Sequence, residues 1–413
     1  MHSSNSELAA ELVAPKEAPQ TVVLAALKRG VRTGSFEVIE ADGTVLSFGE
    51  NVDDMKVPRK AVFRVNDSRF WLRVYRSLFI RSTVSEAFMA QEIDSPDLKL
   101  VLQVCIDNLS NVHAGVSSVY SRVFKALHFV GHMLSHSHAQ TYGVAGYDAS
   151  NDLYTAFLSS EMQYSCPSSR PTRAMSVAIL TGTARLEAGG RLLEIGSGWG
   201  SIAIAKQLAE KRIAAAGFSD QIRVQFMDYR DMPPEFEKAF DACVSLEMLA
   251  AVGTEYLPTY AAKIDWALKS KNSAVVLTAT TYPERYQTSY QGRNFIRKYH
   301  WPHTVLSSAL SLADCFNKTL QGRFCIDSIE DFAIHYPRCL REWGRRLDEK
   351  WDGPLIDSLQ SRYPELKDPH RLEMFRRRWH YMFIYMEVAY SQNLLSCVCW
   401  TFARPGFVAE TCA

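Results

Sequence analysis

The sequence predicts an α/β fold in which a doubly wound, mostly parallel sheet carries the functional site. The central observation is an apolar run at 192–195 that ends in a glycine turn at 196–200 and continues into a helix candidate at 201–216. Three further apolar runs, separated by helix-like stretches, follow at 222–228, 240–245 and 274–278. Ligands bind at the carboxyl ends of such strands, so we expect the functional residues at this edge of the sheet.

The chain divides into a disordered leader, a small α+β domain and a larger domain with the glycine turn, at 1–20, 21–140 and 141–413. In the α+β domain, a β-hairpin is predicted to turn at Asp42 and Gly43, and a third strand to follow at 61–65. In the larger domain, the C-terminal part predicts helices that cap the sheet and a closing strand at 398–402.

Composition and charge narrow the function classes. The 413 residues carry a formal net charge of +1, which gives no reason to expect a nucleic-acid partner. Nine cysteines without a CxxC pair favour reduced thiols in the cytoplasm, and no metal site is predicted. No apolar run is long enough to span a membrane. A peripheral membrane contact stays open, because the helix candidate 119–134 is basic and apolar, although core packing is the favoured interpretation. A homodimer is also left open.

The glycine turn predicts a cradle for a nucleotide-type ligand. Glu194 stands two positions before it, and the turn consists of Gly196, Ser197, Gly198, Trp199 and Gly200. Glycines at alternate positions let the backbone bend and approach a ligand, and the start of the next helix offers its N–H groups. An acidic residue followed by GxGxG is the pattern of S-adenosylmethionine (AdoMet) methyltransferases and differs from dinucleotide and phosphate-loop patterns. The alternative is a tight turn that binds no ligand.

Eight short motifs in one order extend this interpretation: YDxxN, YSCP, LLEIGSGWG, DYRD, EMxxxVG, NFIRKYxWP, HYxxxLxxW and YMEVAY. The series resembles the cyclopropane-fatty-acyl-phospholipid synthase and mycolic acid cyclopropane synthase family over about residues 25–410. The resemblance implies a Rossmann-like class I methyltransferase sheet and methyl transfer from AdoMet to a carbon–carbon double bond, giving a cyclopropane or a methyl branch. It also implies an unsaturated hydrophobic substrate. A fatty acyl lipid is favoured, and a polyene or terpenoid is left open.

The resemblance assigns site residues as well. Cys166 of YSCP and Tyr336 of HYxxxLxxW match family positions at the reacting centre. Four residues match positions that bind AdoMet: Tyr164, Ser165, Asp228 and Tyr229. The resemblance also implies that a bound bicarbonate acts as the base that removes the proton. Without the resemblance, Cys166 reads as a small buried hydrophobe and Tyr336 as a core tyrosine with a satisfied hydroxyl.

Departures from the family pattern weaken the bicarbonate site more than the AdoMet site. Ala250 stands where the family has a glutamate, and alanine cannot hydrogen-bond to an anion. Thr278, with Thr280 two residues later, stands where the family has His or Gln. Glu247 precedes Ala250 by three residues, on the same face of a helical segment. We hypothesise that Glu247 substitutes for the missing glutamate as a catalytic residue.

The stretch after the glycine turn is short. Only 21 residues separate Gly200 from Ile222, enough for one helix but not for a helix, a strand and a second helix. We therefore predict that the sheet lacks one strand and that strand 222–228 lies beside strand 192–195. The lost ribose contact is expected to weaken AdoMet binding by about 1–3 kcal/mol. A mis-spliced gene model explains the gap equally well, and a non-catalytic scaffold that binds lipid or AdoMet is the alternative to an active enzyme.

Overall fold

The computed structural model describes residues 19–49, 59–77, 83–114, 150–158, 185–187, 189–196, 209–211, 213–287, 294–302 and 304–407. The chain forms two compact units, Met1–His138 with Glu365–Tyr385 and Ala139–Pro364 with Met386–Ala413. The first unit therefore takes in residues 365–385, which the sequence analysis assigned to the larger domain. Residues 1–18 of the predicted leader and the helix candidate 119–134 lie outside the described residues.

The N-terminal unit contains a four-stranded sheet. Its elements are helix α1 (Pro19–Gly30), strands β1 (Ser35–Ile39), β2 (Val45–Phe48) and β3 (Lys60–Val65), helices α2 (Arg69–Ser77) and α3 (Thr83–Met89), strand β4 (Ile93–Asp94) and helix α4 (Leu98–Ala114). The strand order is β2-β1-β3-β4, with β1 and β3 parallel and the other pairs antiparallel. The predicted hairpin is confirmed: Gly43 turns with φ +88°, and Asp42 accepts a hydrogen bond from the Thr44 N–H.

The C-terminal unit contains a five-stranded sheet. Its elements are helix α5 (Asn151–Phe157), strands β5 (Leu192–Glu194) and β6 (Ala242–Leu246), helices α6 (Leu249–Val252) and α7 (Leu257–Ala267), strand β7 (Ala274–Thr281), helices α8 (Phe295–Tyr299) and α9 (Ala309–Leu320), strand β8 (Cys325–Asp331), helices α10 (Tyr336–Glu349), α11 (Gly353–Arg362) and α12 (Pro369–Ser391), and strand β9 (Ser396–Ala403). Residues of α12 from Met386 onward belong to this unit.

The strand order in this sheet is β5-β6-β7-β9-β8. Strands β5, β6 and β7 are parallel, and β9 runs antiparallel between β7 and β8. Nearly every residue of β6 and β7 is buried, as expected for parallel strands that are covered on both faces. The α/β class is confirmed, and so is the closing strand, which lies inside the sheet. The parallel arrangement brings the carboxyl ends of β5, β6 and β7 to one edge.

The prediction of a strand at 222–228 beside β5 is wrong. The segment forms no strand, and Ile222 and Phe226 are 48% and 63% exposed. Among the described residues, β6 is the only strand that pairs with β5. The alternation of apolar residues fits a strand, but an alternating pattern forms a strand only where a neighbour supplies hydrogen bonds and a surface to cover. Strand β8 was not predicted, because its sequence, CIDSIED, has no apolar run. In the structure it lies at the edge of the sheet, and most of its residues are exposed.

Candidate active site

Glu247 directly follows β6, where the chain turns in an unusual backbone conformation. Its φ is +57°, in the left-handed region that a residue with a side chain rarely adopts. The turn is held from the neighbouring strand, because the Glu247 N–H donates to the Thr278 carbonyl at 3.0 Å and lies 3.2 Å from the Thr278 hydroxyl. An observed backbone outlier at a strand end is typical of functional sites.

The Glu247 carboxylate is bound by β7. Thr280 donates to Oε2 twice, from its backbone N–H at 2.9 Å and from its hydroxyl at 3.0 Å. The same hydroxyl lies 2.9 Å from the hydroxyl of Tyr390, near the end of α12. Because a threonine hydroxyl has one proton, Tyr390 must donate to Thr280 while Thr280 donates to Glu247. The three side chains form a chain of hydrogen bonds that ends on the carboxylate.

Cys397 contacts the other carboxylate oxygen of Glu247, and Tyr336 contacts Cys397 in turn. The Cys397 thiol donates to Glu247 Oε1 at 3.3 Å, and its sulfur lies 3.6 Å from the Tyr336 hydroxyl. The rings of Tyr336 and Tyr390 stack with centroids 4.5 Å apart and an interplanar angle of 22°. We call Glu247, Thr280, Tyr336, Tyr390 and Cys397 the carboxylate cluster. It unites two residues that the sequence analysis selected, Glu247 and Tyr336, through a cysteine between them.

The pairing of two helices fixes the stacked tyrosines. Tyr336 is the first residue of α10, and Pro337 next to it suits the first turn of a helix. One turn further on, Arg341 of α10 donates from Nε to Glu387 of α12 at 3.0 Å. Glu387 lies three residues before Tyr390, so this ion pair holds the two helices in register at the cluster.

Burial shifts the pKa of every titratable group in the cluster in one direction. Burial raises the pKa of Glu247, and the hydrogen bonds from Cys397 and Thr280 offset part of that rise. Burial, with the nearby Glu247 carboxylate, raises the pKa of Tyr336, Tyr390 and Cys397 well above their usual values. The phenols and the thiol therefore stay protonated as hydrogen-bond donors, and Glu247 is the most acidic member of the cluster.

The predicted AdoMet cradle is described only at its start. Glu194 is exposed at the carboxyl end of β5, and its backbone pairs with Val244 of β6. Gly196 has φ +87°, and a Cβ there would lie 3.1 Å from Met248 Sδ and 3.2 Å from Met248 Cβ. Glycine suits this bend, because a side chain there would be strained by the positive φ and would push against Met248. The described part of the predicted cradle therefore places an exposed acidic residue beside a tight bend.

Asp228 and Tyr229 lie in a loop packed on α7. Asp228 caps the short 3-10 helix Tyr229–Asp231 and accepts two side-chain hydrogen bonds from Arg230, which lower its pKa. The Tyr229 ring meets the Tyr260 ring edge-on at 4.8 Å, and the Tyr260 hydroxyl donates to Ser245 of β6 at 2.7 Å. The loop is thus anchored to the strand that leads to Glu247.

Several predicted residues lie outside the described part of the chain. These are Tyr164, Ser165, Cys166, Ser197, Gly198, Trp199 and Gly200. Conversely, sequence reasoning gave no role to Tyr390 and Cys397. Tyr390 ends the YMEVAY motif, which was the available signal, whereas Cys397 lies in an apolar strand and has no local signal. Within the described residues there is no group of three or more His, Cys, Asp or Glu side chains that could hold a metal ion. No described helix has the length and apolarity to cross a membrane.

Comparison of the whole chain with known proteins finds matches in sequence and in fold. The family model described as mycolic acid cyclopropane synthetase matches residues 135–208 and 204–365. The tuberculostearic acid methyltransferase UfaA1 of Mycobacterium tuberculosis is 27% identical over 362 residues, 78% of each chain. The cyclopropane-fatty-acyl-phospholipid synthase of Escherichia coli K12 is 25% identical over 259 residues, 58% of this chain and 61% of that relative.

Two solved structures share the fold. Coclaurine N-methyltransferase, bound to N-methylheliamine and SAH, aligns with a TM-score of 0.55 and 14% identity over 78% of this chain and 99% of that chain. Mycolic acid cyclopropane synthase CmaA1, complexed with SAH and CTAB, aligns with a TM-score of 0.50 and 18% identity over 63% of this chain and 96% of that chain. The family model covers more than half of the sequence. The chain therefore belongs to the mycolic acid cyclopropane synthetase family of AdoMet-dependent methyltransferases.

Proposed function

We propose that this protein transfers the methyl group of AdoMet to a carbon of a carbon–carbon double bond in the acyl chain of an unsaturated lipid. The observation that carries the proposal is the carboxylate cluster at the edge of the sheet that also presents the Gly196 bend. The names of the relatives support a lipid substrate. They include a tuberculostearic acid methyltransferase, a cyclopropane-fatty-acyl-phospholipid synthase and a sphingolipid C9-methyltransferase of Gibberella zeae.

The chemistry of the cluster suits a reaction through a cation. AdoMet supplies a methyl group on a positively charged sulfur. When the double bond takes that methyl group, one of its carbons becomes cationic. The stacked rings of Tyr336 and Tyr390 offer electron-rich faces, which attract cations, and the Glu247 carboxylate offers a negative charge. Tyr336 and Tyr390 are 7% and 3% exposed, so their side of the site keeps water away from a reactive cation.

The proposal is tested with the purified full chain and AdoMet labelled in its methyl group. Liposomes of a phospholipid with monounsaturated acyl chains are the substrate, and liposomes of the saturated analogue are the matched control. We expect label in the unsaturated lipid only, and mass spectrometry and NMR of the acyl chain then distinguish a ring from a branch. Sedimentation of the protein with the same liposomes tests the peripheral membrane contact that an acyl substrate requires.

Two results would contradict this function. Calorimetry that detects AdoMet binding without any transfer to unsaturated lipids would favour the non-catalytic alternative. Transfer to a soluble polyene or terpenoid, with none to acyl lipids, would keep the chemistry and replace the substrate class. Tyr336→Phe is the first variant to compare, since it removes the hydroxyl beside Cys397 and keeps the stacked ring.

A further inference from the structure

The Glu247 carboxylate occupies the donors at the end of β7 that a small bound anion would otherwise use. A backbone N–H and a hydroxyl of Thr280 converge on Oε2, at 2.9 and 3.0 Å, and the Cys397 thiol donates to Oε1 at 3.3 Å. Donors that converge in this way bind the oxygens of a carboxylate or of another small oxyanion such as carbonate. Here the chain fills the position with its own side chain.

Building on the proposed function, we propose that Glu247 is the base of the reaction and that no dissolved bicarbonate takes part. The residues present do not fit a bound bicarbonate. Ala250, in α6, offers only a methyl group where the resemblance implies an anion-binding glutamate. A second anion at Thr280 would also lie against the Glu247 carboxylate, and like charges at that separation repel each other strongly.

Hydrogen bonds fix the orientation of this carboxylate. Tyr336, Tyr390 and Cys397 are 7%, 3% and 0% exposed, whereas Glu247 is half-buried and is the least buried titratable residue of the cluster. Its left-handed backbone is fixed by hydrogen bonds to Thr278, and its Oε2 by Thr280. Thr280 is a positioning residue in this scheme, because it orients Glu247 without being assigned a contact with the substrate.

Atoms and electrons balance in the proposed step without an added oxidant or reductant. The π electron pair of the double bond forms a carbon–carbon bond to the methyl group, and the carbon–sulfur pair stays on sulfur as the thioether by-product leaves. The other alkene carbon is then cationic. Glu247 takes a proton from the transferred methyl group, and the released C–H pair closes a three-membered ring; if the proton comes from a neighbouring carbon, the pair forms a double bond instead. The carboxyl group later returns its proton to solvent, and no other reactant is needed.

The first test removes bicarbonate. Wild-type turnover on unsaturated liposomes is measured in degassed buffer under a CO₂-free atmosphere, with and without added bicarbonate. We expect equal rates with and without added bicarbonate. Activity that is lost without bicarbonate and returns on its addition would overturn it.

The second test removes the carboxylate. Glu247→Gln keeps the size of the side chain, and we expect kcat to fall about 10²–10⁴-fold, the usual contribution of a general base, while calorimetric binding of the demethylated donor is unchanged. Glu247→Gly suits the left-handed backbone and exposes the Thr280 donors. We expect added bicarbonate or formate to restore part of its activity. Full turnover by Glu247→Gln would overturn the inference.

A binding measurement separates this inference from the proposed function. NMR with ¹³C-labelled bicarbonate is expected to detect binding to Glu247→Gly and none to the wild type at the same concentration. If the wild type binds bicarbonate, the inference fails even where methyl transfer succeeds. If no variant transfers a methyl group but only Glu247→Gly binds bicarbonate, the proposed function fails and the placement of the carboxylate stands.

Discussion

Thr280 donates two hydrogen bonds, from its backbone N–H and its hydroxyl, to a single carboxylate oxygen of Glu247. The two residues lie on neighbouring parallel strands, one just after β6 and the other at the end of β7. The contact therefore exists only because the sheet places both carboxyl ends at one edge. It links the packing of the sheet to the orientation of the group that we propose as the base.

Thr280→Val tests this link. The substitution removes the hydroxyl bond and keeps the backbone bond, so Glu247 retains one donor on Oε2. A hydrogen bond to a charged group contributes about 1.5–3 kcal/mol, which corresponds to a fall in kcat of roughly 10- to 100-fold if all of it orients the base. We expect KM for the lipid to change little and the acidic limb of the rate profile to move to higher pH. Steady-state kinetics across pH checks both.

The neighbouring Thr281 offers a matched control. Its hydroxyl is buried and has no hydrogen-bond partner among the described residues. Thr281→Val makes the same chemical change on the same strand, and we expect unchanged kinetics and equal or greater stability, because a buried hydroxyl without a partner is unfavourable. Equal losses in the two variants would show that Thr280 acts through general packing and not through Glu247.

The raised pKa of Glu247 predicts how stability depends on pH. Its usual value is 4.5, and burial raises it in the folded state. Between 4.5 and the raised value, the folded protein holds a proton that the unfolded chain releases, so this group's contribution to stability is complete below 4.5 and is lost as pH rises through the folded pKa. Tyr336, Tyr390 and Cys397 stay protonated over this range.

Glu247→Gln removes that titration. Denaturant unfolding of wild type and variant at about pH 5 and about pH 8 measures the difference between their free energies of unfolding. We expect the variant to gain stability relative to wild type as pH rises. A difference that is constant, or that moves in the opposite direction, would mean that the Glu247 pKa is not raised in the folded protein.

The sequence predicted the parts of the site that depend on local pattern. Apolar runs located β5, β6 and β7, and motifs selected Glu247 and Tyr336. Cys397 could not be selected, because it lies 150 positions after Glu247 in an apolar strand and acquires its role only when β9 inserts beside β7. Tyr390 likewise depends on the approach of α12 to α10. These contacts arise from sheet order and helix packing, which single-sequence patterns do not determine.

A side chain at position 196 is predicted to strain the bend after β5 and to push against Met248. Gly196→Ala places a Cβ within 3.2 Å of Met248 and in a backbone region that alanine disfavours. Gly217→Ala is the matched control, since Gly217 also has positive φ but no atom within 4 Å of its added Cβ. We expect both variants to lose about 1 kcal/mol of stability from the backbone. Only Gly196→Ala should also weaken calorimetric binding of AdoMet, through the displaced bend.

The exposure of segment 222–228 is tested by comparing an exposed phenylalanine with a buried one. Phe226 is 63% exposed, whereas Phe240, before β6, is 7% exposed and stacks edge-on against Phe236. Phe240→Ala should lower the free energy of unfolding by about 3–5 kcal/mol. Phe226→Ala should change it by less than about 0.5 kcal/mol, because a surface substitution removes little packing. Urea unfolding of the two variants measures both changes, and a large loss at Phe226 would contradict the exposure of this side chain.

Asp265 is predicted to be the electrostatic anchor of β9. Its two oxygens accept from Arg404 at 2.7 Å and from Arg323 at 2.8 Å, and the Arg404 guanidinium also covers the Phe324 ring at 4.0 Å. Arg404 is 4% exposed, so Asp265→Ala leaves a buried charge without its partner and should cost about 3–5 kcal/mol. Asp314→Ala, in the exposed pair with Lys318, should leave stability almost unchanged.

Because Arg404 directly follows β9, which carries Cys397, Asp265→Ala should also reduce methyl transfer, measured below the unfolding transition. Normal activity in a destabilised Asp265→Ala protein would show that the cluster holds its geometry without this anchor.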